Sequence, residues 1–170
     1  MAKVIRNSNP NYYTHSPEAS NCGGFAFNIL GWYTPYEYES ARKHKMLELA
    51  LEEKYSHSEI EEEILEMDKE FMLKNFEGAL TTCENPDFIP NNKRVIAYRI
   101  FVDEDSRWIN SDFHFKVRIN GKWYHKQGSM SPEECELDSE HEWPLLEDDD
   151  ETILHYYDSP ILYFIYEEKI

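Results

Sequence analysis

Among the residues that could do nucleophilic or proton-transfer chemistry, Cys22 stands in the most suggestive place. It follows a polar lead-in and precedes Gly23-Gly24 and an apolar helical face of Phe25, Ala26, Ile29 and Leu30. A thiol at a helix start lies among first-turn N–H groups and near the positive end of the dipole, about half a positive charge, which favours the thiolate. The two glycines admit close approach of another backbone or of a substrate. A nucleophilic cysteine also needs an imidazole to take its proton and a third group to hold that ring in one tautomer. The segment SDFHFKVRI, Asn120-Gly121, KWYHKQG contains candidates for both. Asn-Gly between two alternating runs is a two-residue hairpin turn. It pairs Ile119 with Lys122 and, counting outward, His114 with Gln127, with His125 on the diagonal. Alternation places Asp112, His114, Lys116, Arg118, Trp123, His125 and Gln127 on one side, and Phe113, Phe115, Val117, Ile119 and Tyr124 on the core side. His114 is therefore the candidate base. Gln127 is its expected neighbour, and a single bulge would substitute His125. The same polar face also fits plain solvent exposure, and Cys22 also fits a small buried residue at a helix start. Cys83 falls in a turn-rich loop, and Cys135 in an acidic run that would raise its pKa.

The elements that must position these residues follow from periodicity. Residues 1–21 have neither helical nor strand period and read as an irregular lead-in, followed by a helical region over 22–76. Gly31 is placed to end the short helix that Cys22 begins, and after Pro35 helical spacing resumes from Tyr36 to Tyr55 through Ala41, Met46, Leu49 and Ala50. Ser58 with Glu61 is a capping-box pattern, and Ile60, Ile64, Met67 and Phe71 carry one apolar face to about Asn75. Residues 77–93, with Pro86, Pro90 and Asn91-Asn92, read as a loop. The region 94–170 is β: a strand at Arg94–Val102, the hairpin, an acidic loop over 132–151, and an interior strand at ILYFIYEE. Helices followed by antiparallel strands over 1–170 predict a single α+β domain.

Composition narrows the functional classes. Of 170 residues, 41% are apolar and 15% aromatic, enough to build a core. The net charge of −17 is uneven: 20 acidic against 16 basic residues up to Lys126, then 14 acidic residues against Lys169 alone. That balance argues against direct nucleic-acid binding and against anionic membranes. The start carries no secretory signal and no run approaches about 18 apolar residues, so the expected location is cytoplasmic. Three cysteines without a C-x-x-C pair read as free thiols. The seven histidines have no ligand spacing and no Gly-rich phosphate loop is present, so no metal and no cofactor are expected. Glu147-Asp148-Asp149-Asp150-Glu151 reads as a solvated loop rather than a calcium site.

NCGGFAF resembles the helix-starting Asp-Cys-Ser-Gly-Phe-Val motif of the NlpC-type cysteine peptidases, of the papain-like superfamily. HFKVRINGKWYHKQG resembles their His-Val-Gly-Ile-Tyr hairpin, in which a second His follows the catalytic one. DFHFKVRINGKWYHKQG is closer still to the Asp-Tyr-His-Phe-Tyr-Arg, Asp-Gly-x-Trp-x-His-Lys-x-Gly hairpin of uncharacterised bacterial and phage-type proteins that share the Asn-Cys start. The resemblance implies a papain-like fold and a thiol hydrolase or acyltransferase. In it Cys22 is the nucleophile, His114 the base and His125 the orienting residue, with Tyr12 or Tyr13 near the oxyanion. Among the first-turn residues Gly23 would lie beside the substrate. Asn21 stands where the peptidases have Asp, and Gly23 where they have Ser. The implied substrate is a peptide, isopeptide or small-molecule amide. The competing expectation is a non-catalytic acidic binder that mimics nucleic acid and occupies the groove of a basic protein partner.

Overall fold

β-Branched and aromatic runs in the second half of the chain form a six-stranded antiparallel sheet, and the apolar faces of the first half pack helices against it. The computed structural model describes residues 7–52, 55–102, 111–137, 143–146 and 153–167. The lead-in carries a helical turn, α1 (Tyr12–His15), and a 3-10 turn at Pro17–Ala19. Three helices follow: α2 (Cys22–Ala26), α3 (Glu39–Leu51) and α4 (His57–Asn75). The strands are β1 (Leu80–Cys83), β2 (Arg94–Val102), β3 (Ser111–Ile119), β4 (Lys122–His125), β5 (Glu133–Cys135), β6 (Pro144–Leu146), β7 (Ile153–Tyr156) and β8 (Leu162–Tyr166). The main sheet runs β1-β8-β2-β3-β4-β5, and β6-β7 form a separate two-stranded ribbon. The α+β class is as the sequence predicts.

α4 ends where its apolar face predicts but starts two residues early. Ser56, not Ser58, is the N-cap, and Glu59 closes the capping box by accepting from the Ser56 N–H at 3.3 Å. Glu61 could not do so, because it turns inward beside Ile60 and Ile64 and is buried. A second buried charge joins the helices: Arg42 of α3 donates to both oxygens of Asp68 on α4, at 3.2 and 2.6 Å, and the Tyr98 hydroxyl of β2 donates to the same carboxylate.

The region expected as a loop contains β1, which pairs with β8 through Leu80↔Tyr166 to Cys83↔Tyr163 and so leaves β8 interior. The expected acidic loop likewise contains β5 and β6, while the run at 147–151 lies outside the described residues. The hairpin forms as predicted: Asn120 (φ 52°) and Gly121 (φ 83°) both take the left-handed region that a type I′ turn needs. Its register is Ile119↔Lys122, Arg118↔Trp123 and Val117↔Tyr124, but β4 stops at His125.

Phe27, stacked on Phe76 with centroids 4.1 Å apart, fills the core between helices and sheet together with Phe115, Ile96 and Phe164. The opposite face is not solvated. Trp143 and Tyr157, at the ends of the β6-β7 ribbon, pack on Ala97, and His114, Lys116, Arg118 and His125 are all buried. The solvent-exposed reading of that face is thereby corrected. No helix among the described residues is long and apolar enough to cross a membrane.

Candidate active site

Asn21 sets the start of α2. Its Oδ1 accepts from the N–H groups of Gly24 (2.9 Å) and Tyr33 (3.0 Å), and its Nδ2 donates to the Tyr33 carbonyl at 2.8 Å. This triple clasp draws residues 31–33 over the helix. A Cβ on Gly23 would lie 2.5 Å from the Tyr33 oxygen, and one on Gly24 2.2 Å from the Gly31 oxygen. The glycines therefore serve backbone approach within the fold. With Gly24 N–H held by Asn21, and α2 only five residues long, one of the first-turn amides expected for an oxyanion is already occupied.

Cys22 is buried, and its sulfur meets the backbone of Phe115 on β3 and of Gly23. The Phe115 contact follows from the ladder. In a two-residue hairpin the pairs at 119/122 and 117/124 are hydrogen-bonded, so the Phe115 N–H also points toward β4. Because β4 ends one residue too soon, that amide faces the cysteine instead. Burial pushes the Cys22 thiol up to about 12, with Asp112 adding to the rise, while the two backbone hydrogen bonds and Lys126 oppose it. The thiolate expected from a helix start is overruled by desolvation.

On β3, His114 bonds through Nε2 to His125 Nδ1 at 2.9 Å, and His125 Nε2 bonds to Glu133 Oε1 of β5 at 3.0 Å. The His114 ring stacks on Tyr157 (centroids 5.5 Å, 23°) and meets Trp143 edge-on (6.0 Å, 90°). Burial, then His125 and Lys116, hold His114 well below the usual imidazole range. His125 is also lowered, by burial and Lys116, against the pull of Glu133. The Tyr157 hydroxyl donates to Asp112 Oδ2 at 3.1 Å, and burial raises the Asp112 carboxyl. Cys22 meets the backbone of β3 at Phe115 from the helix-packed core, whereas the adjacent His114 projects from the opposite face toward Trp143 and Tyr157.

Other predicted site residues fall elsewhere. The Tyr13 hydroxyl bonds to the carbonyls of Ile29 (2.8 Å) and Gly24 (3.1 Å), which fastens the turn after α2 and corrects its oxyanion role. Tyr12 donates to the Ala19 carbonyl and accepts from Gly31 N–H. Gln127 lies past the end of β4, its carbonyl accepting from Met130 N–H, so His125 rather than Gln127 is the partner of His114. Cys83 sits on the edge strand β1. Cys135 on β5 is pushed up to about 11, first by burial and only then by its acidic neighbours.

Two residues escaped sequence reasoning. Lys126 is fully buried, its ammonium donating to the carbonyls of Pro17, Ser20 and Gly128 and so tying the lead-in to the hairpin beside Cys22. The one hint was its place next to His125 in the HKQG string. Glu133 was hidden in an acidic run. A groove of about 550 Å³, lined by Tyr13, Phe25, Tyr124, Pro132, Glu133 and Glu134 among others, runs past the solvent end of the histidine chain. Among the described residues no group of three or more His, Cys, Asp or Glu side chains is gathered that could hold a metal ion. The chain matches no protein-family model, no curated protein and no solved structure.

Proposed function

We propose that this chain is a papain-like, NlpC-like thiol hydrolase or acyltransferase acting on an amide, peptide or isopeptide bond in the cytoplasm. The observation that carries the reading is a cysteine at a helix start, abutting the strand that bears a buried His114-His125-Glu133 hydrogen-bonded chain. Cys22 Sγ attacks the carbonyl carbon while His114 takes the thiol proton. The leaving amine then departs with that proton, and water or an acceptor amine releases the acyl group from the thioester. A thiol held at about 12 and an imidazole held neutral make this a general-base pair rather than a preformed ion pair. Release of p-nitrophenolate from p-nitrophenyl acetate is the simplest test. Wild type is expected to outpace Cys22→Ala and His114→Ala, and equal rates in all three would end this reading.

The alternative, an acidic binder of a basic protein, draws on two observations. The Cys22 sulfur is bonded to backbone rather than to imidazole, and α4 presents Glu59, Glu62, Glu63, Glu66 and Glu70 to solvent. In that case reversing those charges abolishes partner capture at low salt, and Cys22→Ala leaves it intact.

A further inference from the structure

We infer that Glu133 is a positioning residue which, through His125, fixes His114 in the tautomer that leaves Nδ1 free to accept a proton. The inference rests on His114 as the base of the proposed thiol chemistry, and it follows from counting protons along two hydrogen bonds. The Glu133 side chain is 57% exposed on the edge strand β5, and as a carboxylate it can only accept. His125 Nε2, 3.0 Å away, must therefore carry hydrogen. A neutral imidazole with hydrogen on Nε2 has its lone pair on Nδ1, and that atom lies 2.9 Å from His114 Nε2. His114 Nε2 must then be the donor, which leaves the lone pair on His114 Nδ1. One exposed carboxylate thus decides the proton position on a buried histidine, 7% exposed as a residue.

The surroundings keep the chain neutral. The Lys116 ammonium, held by the Glu136 carbonyl at 2.9 Å and lying 4.5 Å over the Trp143 ring, opposes protonation of both imidazoles. Arg99, 5.6 Å from the same indole, adds a second positive charge on that face, while Asp112 is occupied by Tyr157 and by the Phe113 N–H. The His114 ring packs on Tyr157, and its orientation is set by the 2.9 Å bond from Nε2 to His125 Nδ1. With charge and ring orientation fixed, the acceptor at the far end selects the tautomer.

Long-range proton–nitrogen correlation spectra of nitrogen-15 labelled protein read the tautomers directly, with the rings assigned through His114→Gln and His125→Gln. In wild type both rings are expected to carry hydrogen on Nε2. In Glu133→Ala the two tautomers of His114 should mix, and Glu133→Asp should restore the single form at least in part. Acylation of Cys22 by p-nitrophenyl acetate should fall about ten- to a hundredfold in Glu133→Ala while its melting temperature stays near wild type. Hydrogen on His114 Nδ1 in wild type, tautomers unchanged in Glu133→Ala, or an unchanged acylation rate despite mixed tautomers would each overturn the inference. If wild type shows no acylation, the enzyme reading fails, while the spectra still decide the tautomer.

Discussion

Asn21→Asp introduces a carboxylate immediately before Cys22, and this structure predicts that it harms the protein. The replacement is isosteric. Its first oxygen keeps the bonds from Gly24 N–H (2.9 Å) and Tyr33 N–H (3.0 Å), and a charge at a helix start returns about 0.3–1 kcal/mol, the lower end for five residues. Its second oxygen, however, replaces Nδ2 at 2.8 Å from the Tyr33 carbonyl, so a buried bond becomes two facing acceptors. Leaving such groups unpaired costs about 1–3 kcal/mol, which outweighs the gain and leaves a net loss of about 2 kcal/mol. At about 2–4 °C per kcal/mol for a chain of this size, the melting temperature followed by circular dichroism at pH 7 should drop by about 4–8 °C. Below about pH 4 the introduced carboxyl can protonate and donate to Tyr33, so the gap should narrow. Asn21→Asp melting at or above wild type would refute the clasp as the reason for Asn at this position.

Lys126→Met keeps the buried stem but strips three carbonyls of their donor, so thermal melting should show a loss of about 3 kcal/mol and proteolysis should begin at residues 17–20. Arg42→Met leaves Asp68 as an uncompensated buried charge and should cost about 3–5 kcal/mol in urea denaturation, whereas a surface pair such as Lys69–Glu66 should cost less than about 1. The Cys22 thiol is held at about 12 against an ordinary 9.0, so between those values the native state keeps a proton that the unfolded chain releases. Stability therefore falls as pH rises through that window, and Cys22→Ala should flatten the decline in melting temperature between pH 9 and 11. Because His114 is held below the usual imidazole range, acylation of Cys22 should persist down through pH 6.5 and fall only at more acid values.

Legibility in the sequence tracked the length and regularity of each element. β2 was readable to the residue because seven of its nine positions are apolar, several of them β-branched or aromatic, and leave no helical period, and Asn120-Gly121 determined the hairpin register. β1, β5 and β6 have three or four residues each, too few for a period to show, and β1 forms by pairing with a strand about 80 positions later. The candidate site was legible as Cys22 and His114, whose neighbours in sequence announce a helix start and a strand face. Its chemical state was not, because burial of His114 depends on Trp143 and Tyr157 arriving from a distant ribbon. Nor does any local pattern reveal that Lys126 would be satisfied by three carbonyls from two separate segments.

If Cys22 is a nucleophile served by His114, the covalent acyl intermediate is its most direct signature. Protein quenched in acid after brief exposure to p-nitrophenyl acetate, then digested and mapped by mass spectrometry, should carry one acetyl group on Cys22, absent when His114 is replaced by Ala. Acetylation confined to Cys83 or Cys135, or an equal yield on Cys22 without His114, would contradict the account.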